Sequence, residues 1–231
     1  MSIRWKRERQ AVVAAAQGMA SLGLTAGTGG NVSLRLPPGE DGEVLLAVTP
    51  TSVPYPDLTP QSIVVVDLDV NPVDGGGDGA PSSETLLHTE IYRRRPDAGA
   101  VIHTHSVFAT VLAVTGSEIP PIIDEAVVYI GGPVKVSDYA FPGSQELADN
   151  VCAALEERNA AIIRNHGAVC VGSDLSEALS TCELLERLAQ IYYYASVAGN
   201  VGILPADVVE AEIAIFDMRR QAHLKNISPR L

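Results

Sequence analysis

Two histidines end an apolar run, Ala100-Val101-Ile102-His103-Thr104-His105. If the run is a strand, both imidazoles project from one face, because strand side chains alternate with a period of two. Paired histidines on one face at the end of an apolar strand are the start of a metal site. The chain has five histidines. A third, His166, follows another apolar stretch, Ala160 to Ile163, within Arg164-Asn165-His166-Gly167. Three neutral imidazoles hold Zn2+ with an open fourth position, as in a catalytic rather than a structural site. Imidazole is not selective, so Mn2+ or Co2+ would also suit the set. Such a metal polarises a carbonyl or hydroxyl oxygen and stabilises an enediolate. Glu84 is the carboxylate to pair with it, and partial burial would bring its pKa near working pH for proton transfer.

Three further segments carry anion-binding chemistry. Gly27-Thr28-Gly29-Gly30-Asn31 permits a tight backbone whose N–H groups converge on an anion, although a glycine cluster between helix and strand also serves as a plain turn. Thr49-Pro50-Thr51-Ser52-Val53-Pro54-Tyr55 is either a rigid turn or a second group of hydroxyl donors. Pro81-Ser82-Ser83-Glu84 opens a helix, where Ser82 and Ser83 either cap its start or share its free N–H groups with an anion. His88, one turn after Glu84, either hydrogen-bonds it or packs in the core.

The elements that must position these residues follow from patterning. A helix is expected over about 4–22, with Val12, Ala16, Met19 and Leu22 near one face. Its basic start and alanine-rich body read as a folded helix rather than a signal peptide. Val32–Arg35 and Glu43–Val48 read as a hairpin around Pro37–Gly42, and Ile63–Val66 as a short strand. Residues 71–80 read as a flexible loop. A helix from Pro81 ends near Pro96, with Arg93, Arg94 and Arg95 as a solvated end. The histidine strand follows, then a helix over Val107–Val114. Ile122–Ile130 and Val134–Val136 read as strands, Gln145–Glu157 as a helix and Ala160–Ile163 as a buried strand. Asp174 caps a helix to about Ser196, and Pro205 starts a last one to about Leu224. The pattern implies a single α/β domain over residues 1–231, its mixed sheet flanked by helices.

Bulk composition narrows the partners. The 231 residues are 46% hydrophobic and 19% charged, enough apolar content for a sizeable core. A net charge of −12 argues against nucleic acid or an anionic membrane as partner, but not against a small anion in a local pocket. Three cysteines outside CxxC spacing fit buried thiols in a reducing cytoplasm. No run of 18 apolar residues suggests a transmembrane helix.

Four ordered segments, LGLTAGTGGNVSLR, TPTSVPY, PSSETLLHTEIYRRRPDAGAVIHTHS and RNHGAVCVG, together resemble the class II aldolase/adducin family, most closely its L-fuculose-1-phosphate aldolase branch. The resemblance implies a central, mostly antiparallel sheet and a four-fold homotetramer with sites at subunit interfaces. It implies zinc on His103, His105 and His166, with Glu84 as catalytic acid/base. It also implies that Thr28, Gly30, Asn31, Thr51, Ser52, Ser82 and Ser83 hold the phosphate of a small phosphorylated sugar. The implied reaction cleaves the C3–C4 bond of a ketose 1-phosphate, L-fuculose-1-phosphate-like or a deoxyketose phosphate. Dihydroxyacetone phosphate and an aldehyde form through a metal-stabilised enediolate.

The chain departs from that branch in three places. Ser52 stands where the branch has glycine. The position of an aldehyde-protonating tyrosine holds about Asp124, for which Tyr129 could substitute. In the last helix Phe216 matches an aromatic, but a second tyrosine is replaced by about Arg219. Epimerase, dehydratase and decarboxylase relatives use the same enediolate and remain alternatives. An adducin-like interaction module is a third, disfavoured by the complete histidine set.

Overall fold

The short β-branched runs pair edge to edge, because no strand of three to six residues can satisfy its backbone alone. The structure, a computed structural model, describes residues 3–37, 42–73 and 79–227. Most of the Pro37–Gly42 loop and of the glycine-rich stretch over 74–78 lies outside the described residues. The strands are β1 (Asn31–Arg35), β2 (Leu46–Val48), β3 (Val64–Val66), β4 (Ala100–Thr104), β5 (Ala160–Ile163) and β6 (Gly167–Gly172). They form one sheet in the order β3-β2-β1-β4-β6-β5, every neighbouring pair antiparallel. The mixed character expected from sequence is limited, among the described residues, to one isolated parallel bridge between Val136 and Ile162.

Helices cover both faces, which is why the strands are apolar on both sides rather than alternating. The helices are α1 (Lys6–Ser21), α2 (Thr85–Arg94), α3 (Val107–Thr115), α4 (Asp124–Ile130), α5 (Gln145–Leu155), α6 (Leu175–Ala198) and α7 (Ala206–Ile227). One core layer joins Val32, Ile102, Ile162 and Cys170 of the sheet to Met19 of α1, Leu112 of α3 and Leu185 of α6. The other joins Val101, Ile163 and Val169 to Leu87 and Ile91 of α2 and Leu147 and Val151 of α5. Truncating a fully buried anchor such as Ile102 or Ile91 to alanine costs about 2–5 kcal/mol. The N-terminal segment is a helix of the fold, with Val12, Ala16 and Met19 fully buried.

The structure departs from the sequence expectations at four places. Residues 124–130 are helix α4, not a strand. Ala126, Val127 and Ile130 are buried at helical spacing, Asp124 and Glu125 sit at the positive end of the helix dipole, and Gly131 closes it with φ 97°. Val134–Val136 contributes only isolated bridges. After Ile163 the chain turns back at once into β6, so His166 lies in a hairpin turn and not at a strand end. Arg95 is buried, not solvated. It pairs with Asp97 at 2.7 Å, and Asp97 in turn receives Arg220 of α7 at 3.0 Å. This fastens the C-terminal helix to the sheet end remote from the histidines.

His88 of α2 is fully buried and does not bond Glu84. Its Nδ1 accepts from Ser33 Oγ at 2.6 Å and its Nε2 donates to Asn31 Oδ1. Tyr92 Oη lies 3.0 Å from the same Ser33 hydroxyl. The imidazole thus ties α2 to β1 as a neutral group. Burial pushes its pKa from 6.5 down to about 3, with repulsion from His103 adding to the fall and the Glu84 charge opposing it. The unfolded chain therefore binds a proton that the native protein refuses, and stability falls as pH drops from about 6.5 towards 3. Denaturant titrations across that range will show the loss. His88→Gln will be less stable at pH 7 but will flatten the pH slope relative to wild type.

Candidate metal centre and adjoining anion cavity

β4 holds His103 between two strands, paired with Asn31 on one side and Val169 on the other. His103 Nδ1 donates to the carbonyl of Ala168 at 2.9 Å. A carbonyl only accepts, so Nδ1 carries the proton and the Nε2 lone pair is free for a ligand. That Nε2 lies 3.0 Å from His105 Nε2 and 3.0 Å from Glu84 Oε2. His166 Nε2 lies 3.5 Å from Glu84 Oε1. The three rings sit with centroids 4.8, 4.8 and 4.9 Å apart. One ligand atom from each of Glu84, His103, His105 and His166 falls within 4.8 Å of the others.

This arrangement fits a divalent cation. Lone pairs and a carboxylate facing one another at 3 Å repel unless a positive charge lies among them. Glu84 Oε1 is buried with no hydrogen-bond partner, as expected of an oxygen awaiting a cation or a proton. Burial alone would raise Glu84, but when the rings are protonated the hydrogen bond from His103 and the charges of His103, His166 and His105 outweigh it and hold the carboxyl at about 2. His105 is lowered to about 4, first by burial and then by its histidine neighbours. Burial, then His103, lowers His166 as well. Both are therefore neutral, ligand-ready imidazoles near pH 7.

The close approach depends on glycine. A Cβ at Gly30, where φ is +71°, would meet His103 O at 2.5 Å. A Cβ at Gly167 would meet Thr104 O at 2.2 Å and the His105 ring at 3.1 Å. Any side chain at either position would force the glycine loop or the β5–β6 hairpin away from the histidines.

Beside the cluster lies a cavity of about 250 Å³ lined by Thr28, Gly29, Gly30, Asn31, Pro50, Thr51, Ser52, Ser82, Ser83, Glu84 and His105. All seven residues assigned to phosphate from sequence therefore meet in one place, next to the metal cluster. Ser82 and Ser83 do not cap α2, since the N-cap position is Glu84 and no side chain caps there. Ser82 Oγ accepts from Asn31 Nδ2 at 2.9 Å and from Glu84 N at 3.4 Å, and His88 holds the other end of the Asn31 amide. Two supporting roles escaped the sequence reading. His88 sets the orientation of Asn31. Tyr55, last in the proline-flanked turn, donates to the carbonyls of Gly29 and Gly30 at 2.7 and 2.8 Å and so fixes the glycine loop. The signal for Tyr55 was an aromatic hydroxyl next to two prolines.

Of the departures, Ser52 lies in this cavity, while those at Asp124 and in the last helix lie elsewhere in the chain. Tyr129 stacks under Arg219 at 4.2 Å, beside Asn159 at the end of β5 away from His166. It does not reach the histidines of its own chain. Phe216 is buried against Gly131, and Asp124 faces Glu212 of α7.

Comparison with known proteins agrees with this construction. The family model described as Class II Aldolase and Adducin N-terminal domain matches residues 10–193. A 5-deoxy-D-ribulose 1-phosphate aldolase of Bacillus thuringiensis serovar kurstaki is 34% identical over 205 residues, 89% of this chain and 93% of its own length. A 5-methylthioribulose-1-phosphate/5-deoxyribulose-1-phosphate aldolase of Rhodospirillum rubrum is 35% identical over 208 residues, 90% of each chain. Among solved structures, an L-fuculose 1-phosphate aldolase superposes with a TM-score of 0.84 at 32% identity, covering 94% of this chain and 98% of that one. The chain belongs to the class II aldolase and adducin family.

Ser52 sits in the left-handed region, φ 59°, at the exposed mouth of the cavity with its hydroxyl 3.4 Å from that of Thr51. A non-glycine residue there costs roughly 1 kcal/mol. Ser52→Gly will raise the thermal midpoint by a few degrees in a melting experiment. The same variant will bind inorganic phosphate more weakly, because one hydroxyl donor is lost.

Proposed function

We propose that the protein is a metal-dependent aldehyde-lyase that cleaves a ketose 1-phosphate to dihydroxyacetone phosphate and an aldehyde. The observation that carries this reading is the junction of a cluster of three histidines and Glu84 with a cavity lined by hydroxyls, an amide and glycine backbone. His103, His105 and His166 would hold the ion, zinc by the chemistry of the three imidazoles. When bound there, it supplies Lewis acidity for the negative charge that develops as the carbon–carbon bond breaks.

The chain's own residues do the rest. Thr28, Gly30, Asn31, Thr51, Ser52, Ser82 and Ser83 hold the phosphate and thereby fix C2 and C3 beside the histidines. As the C3–C4 bond breaks, the C4 hydroxyl gives up its proton and C4 leaves as the aldehyde. The electron pair stays on the C2–C3 fragment, and C3 is then protonated. Glu84 carries that proton. Against the histidines it is a carboxylate with a pKa of about 2. Once substrate draws it away from them, burial is the influence that remains, and burial raises its pKa towards that of a usable acid.

A shallow groove of about 550 Å³ opens on the other side of His105 and His166, lined by Val107, Thr110, Val111, Val114 and Thr115. Its valines suit an aldehyde with an apolar end, and the likeness to 5-deoxyribulose-phosphate aldolases supports a deoxyketose 1-phosphate as substrate. Exposed Tyr194, Val197, Ile203 and Met218 on and near α6 and α7 support burial of this surface in a homotetramer. The cytoplasm suits its free, buried cysteines.

Metal-loaded protein incubated with a panel of ketose 1-phosphates will release dihydroxyacetone phosphate, faster from a 5-deoxypentulose 1-phosphate than from the 6-deoxyhexulose L-fuculose 1-phosphate. Products that keep the substrate's mass, or lose water or carbon dioxide, would instead mark an epimerase, dehydratase or decarboxylase. Glu84→Gln will lower kcat by about 10²–10⁴-fold, the usual worth of a positioned proton carrier. Full activity in that variant refutes the role. Chelation will abolish turnover, and Zn2+ will restore it.

A further inference from the structure

His105, like His166, lies one residue outside a strand of the sheet, whereas His103 is held within β4. β4 ends at Thr104, so His105 lies outside the ladder that holds His103. On one side its ring rests against the glycine loop, where a Cβ at Gly29 would meet Nδ1 at 2.7 Å. On the other side the chain enters α3 at Val107, directly after Ser106. The direction of the ring therefore depends on where α3 begins.

The start of α3 is capped from a distance. Ser106 occupies the N-cap position but its side chain makes no capping hydrogen bond. Instead, the half-buried carboxylate of Glu186, on α6, accepts from Phe108 N at 2.8 Å and from Ala109 N at 2.9 Å, one oxygen to each. Two of the unpaired donors of the first turn are thus satisfied by a residue 77 and 78 positions away in sequence. The Phe108 ring adds contacts to Tyr194 and Tyr193 of α6, at 5.7 and 6.0 Å. A carboxylate bound to two N–H groups at a helix start combines charge-assisted hydrogen bonds with a favourable dipole.

We infer that Glu186 is a positioning residue for His105. It fixes the first turn of α3 against α6, and with it the corner from which His105 reaches the metal. It touches neither metal nor substrate. The inference rests on the proposed metal role of the three histidines and adds the residue that keeps His105 aligned.

Cobalt(II) titration of the apoprotein, read by visible absorption, tests it, with thermal unfolding of the same samples as the stability measure. Glu186→Ala will weaken Co2+ binding about 10–100-fold, as loss of a residue supporting a metal ligand does, and will shift the cobalt bands. Glu186→Gln keeps an acceptor oxygen for one N–H and will recover part of that affinity. Asp174→Ala serves as the control. Asp174 caps the N-terminus of α6 by accepting from Glu177 N at 2.9 Å, so its loss will lower the melting temperature while leaving cobalt affinity and spectrum at wild-type values. Equal weakening in Asp174→Ala would reduce the effect to general stability and overturn the inference. Wild-type affinity and spectrum in Glu186→Ala would overturn it while leaving the metal reading intact. A wild-type protein that binds no cobalt would overturn both.

Discussion

Four electron-rich atoms are held where they repel one another. Three imidazole nitrogens and a carboxylate oxygen lie within 4.8 Å in a half-buried site. Left free, the groups would separate, because each loses water and gains only like neighbours. A cation placed among them makes its attraction to each donor outweigh their mutual repulsion. The chain must keep the donors together in the interval, and much of its local structure does so. The register of β4 against β1 and β6 sets His103. The hairpin turn from β5 to β6 presents His166. Glycines at 30 and 167 let backbones come closer than any Cβ would allow.

The anion cavity is also built with few charges. Besides Glu84 and His105 of the cluster, its lining holds hydroxyls, an amide and glycine backbone, with no lysine or arginine among the described residues. With a net charge of −12, the protein does not attract phosphate by its overall field. In the proposed function, recognition rests on convergent dipoles close to a bound cation. Neutral donors require close placement, since a dipole loses its effect with misorientation faster than a point charge does. That requirement accounts for the buried chain from Tyr92 through Ser33, His88 and Asn31 to Ser82, and for Tyr55 beneath the glycine loop.

The far end of the molecule follows different rules. There Arg95, Asp97 and Arg220 join α7 to the end of the sheet, and Phe216 fills the space that Gly131 leaves open. Asp124 and Tyr129 belong to this structural unit within the chain rather than to the histidine cluster. The departures from the fuculose-phosphate pattern at Asp124 and Arg219 therefore lie at the opposite end from the metal and phosphate chemistry, on the part of the chain that packs α4 against α7.

Local spacing determined the chemistry. Two histidines with a period of two on an apolar run, a glycine loop before a strand and a Ser-Ser-Glu helix entrance are properties of a few consecutive residues, so they are legible without a fold. The same holds for most strands and helices, whose apolar periods are local. The α4 segment was misread because its β-branched residues favour a strand, while burial of Ala126, Val127 and Ile130 on one face favours a helix, and only packing decides between them. β6 was missed because Gly167-Ala168-Val169-Cys170-Val171-Gly172 is bounded by glycines and its stability comes from two neighbouring strands. Long-range relations were absent from the sequence altogether. That His88 serves Asn31, that Arg95 is buried against Asp97, and that Glu186 caps a helix 78 residues earlier depend on which surfaces meet when the layers close. The sequence alone therefore named the donors. Tertiary structure decided which groups hold them in line, because positioning depends on contacts between residues far apart along the chain.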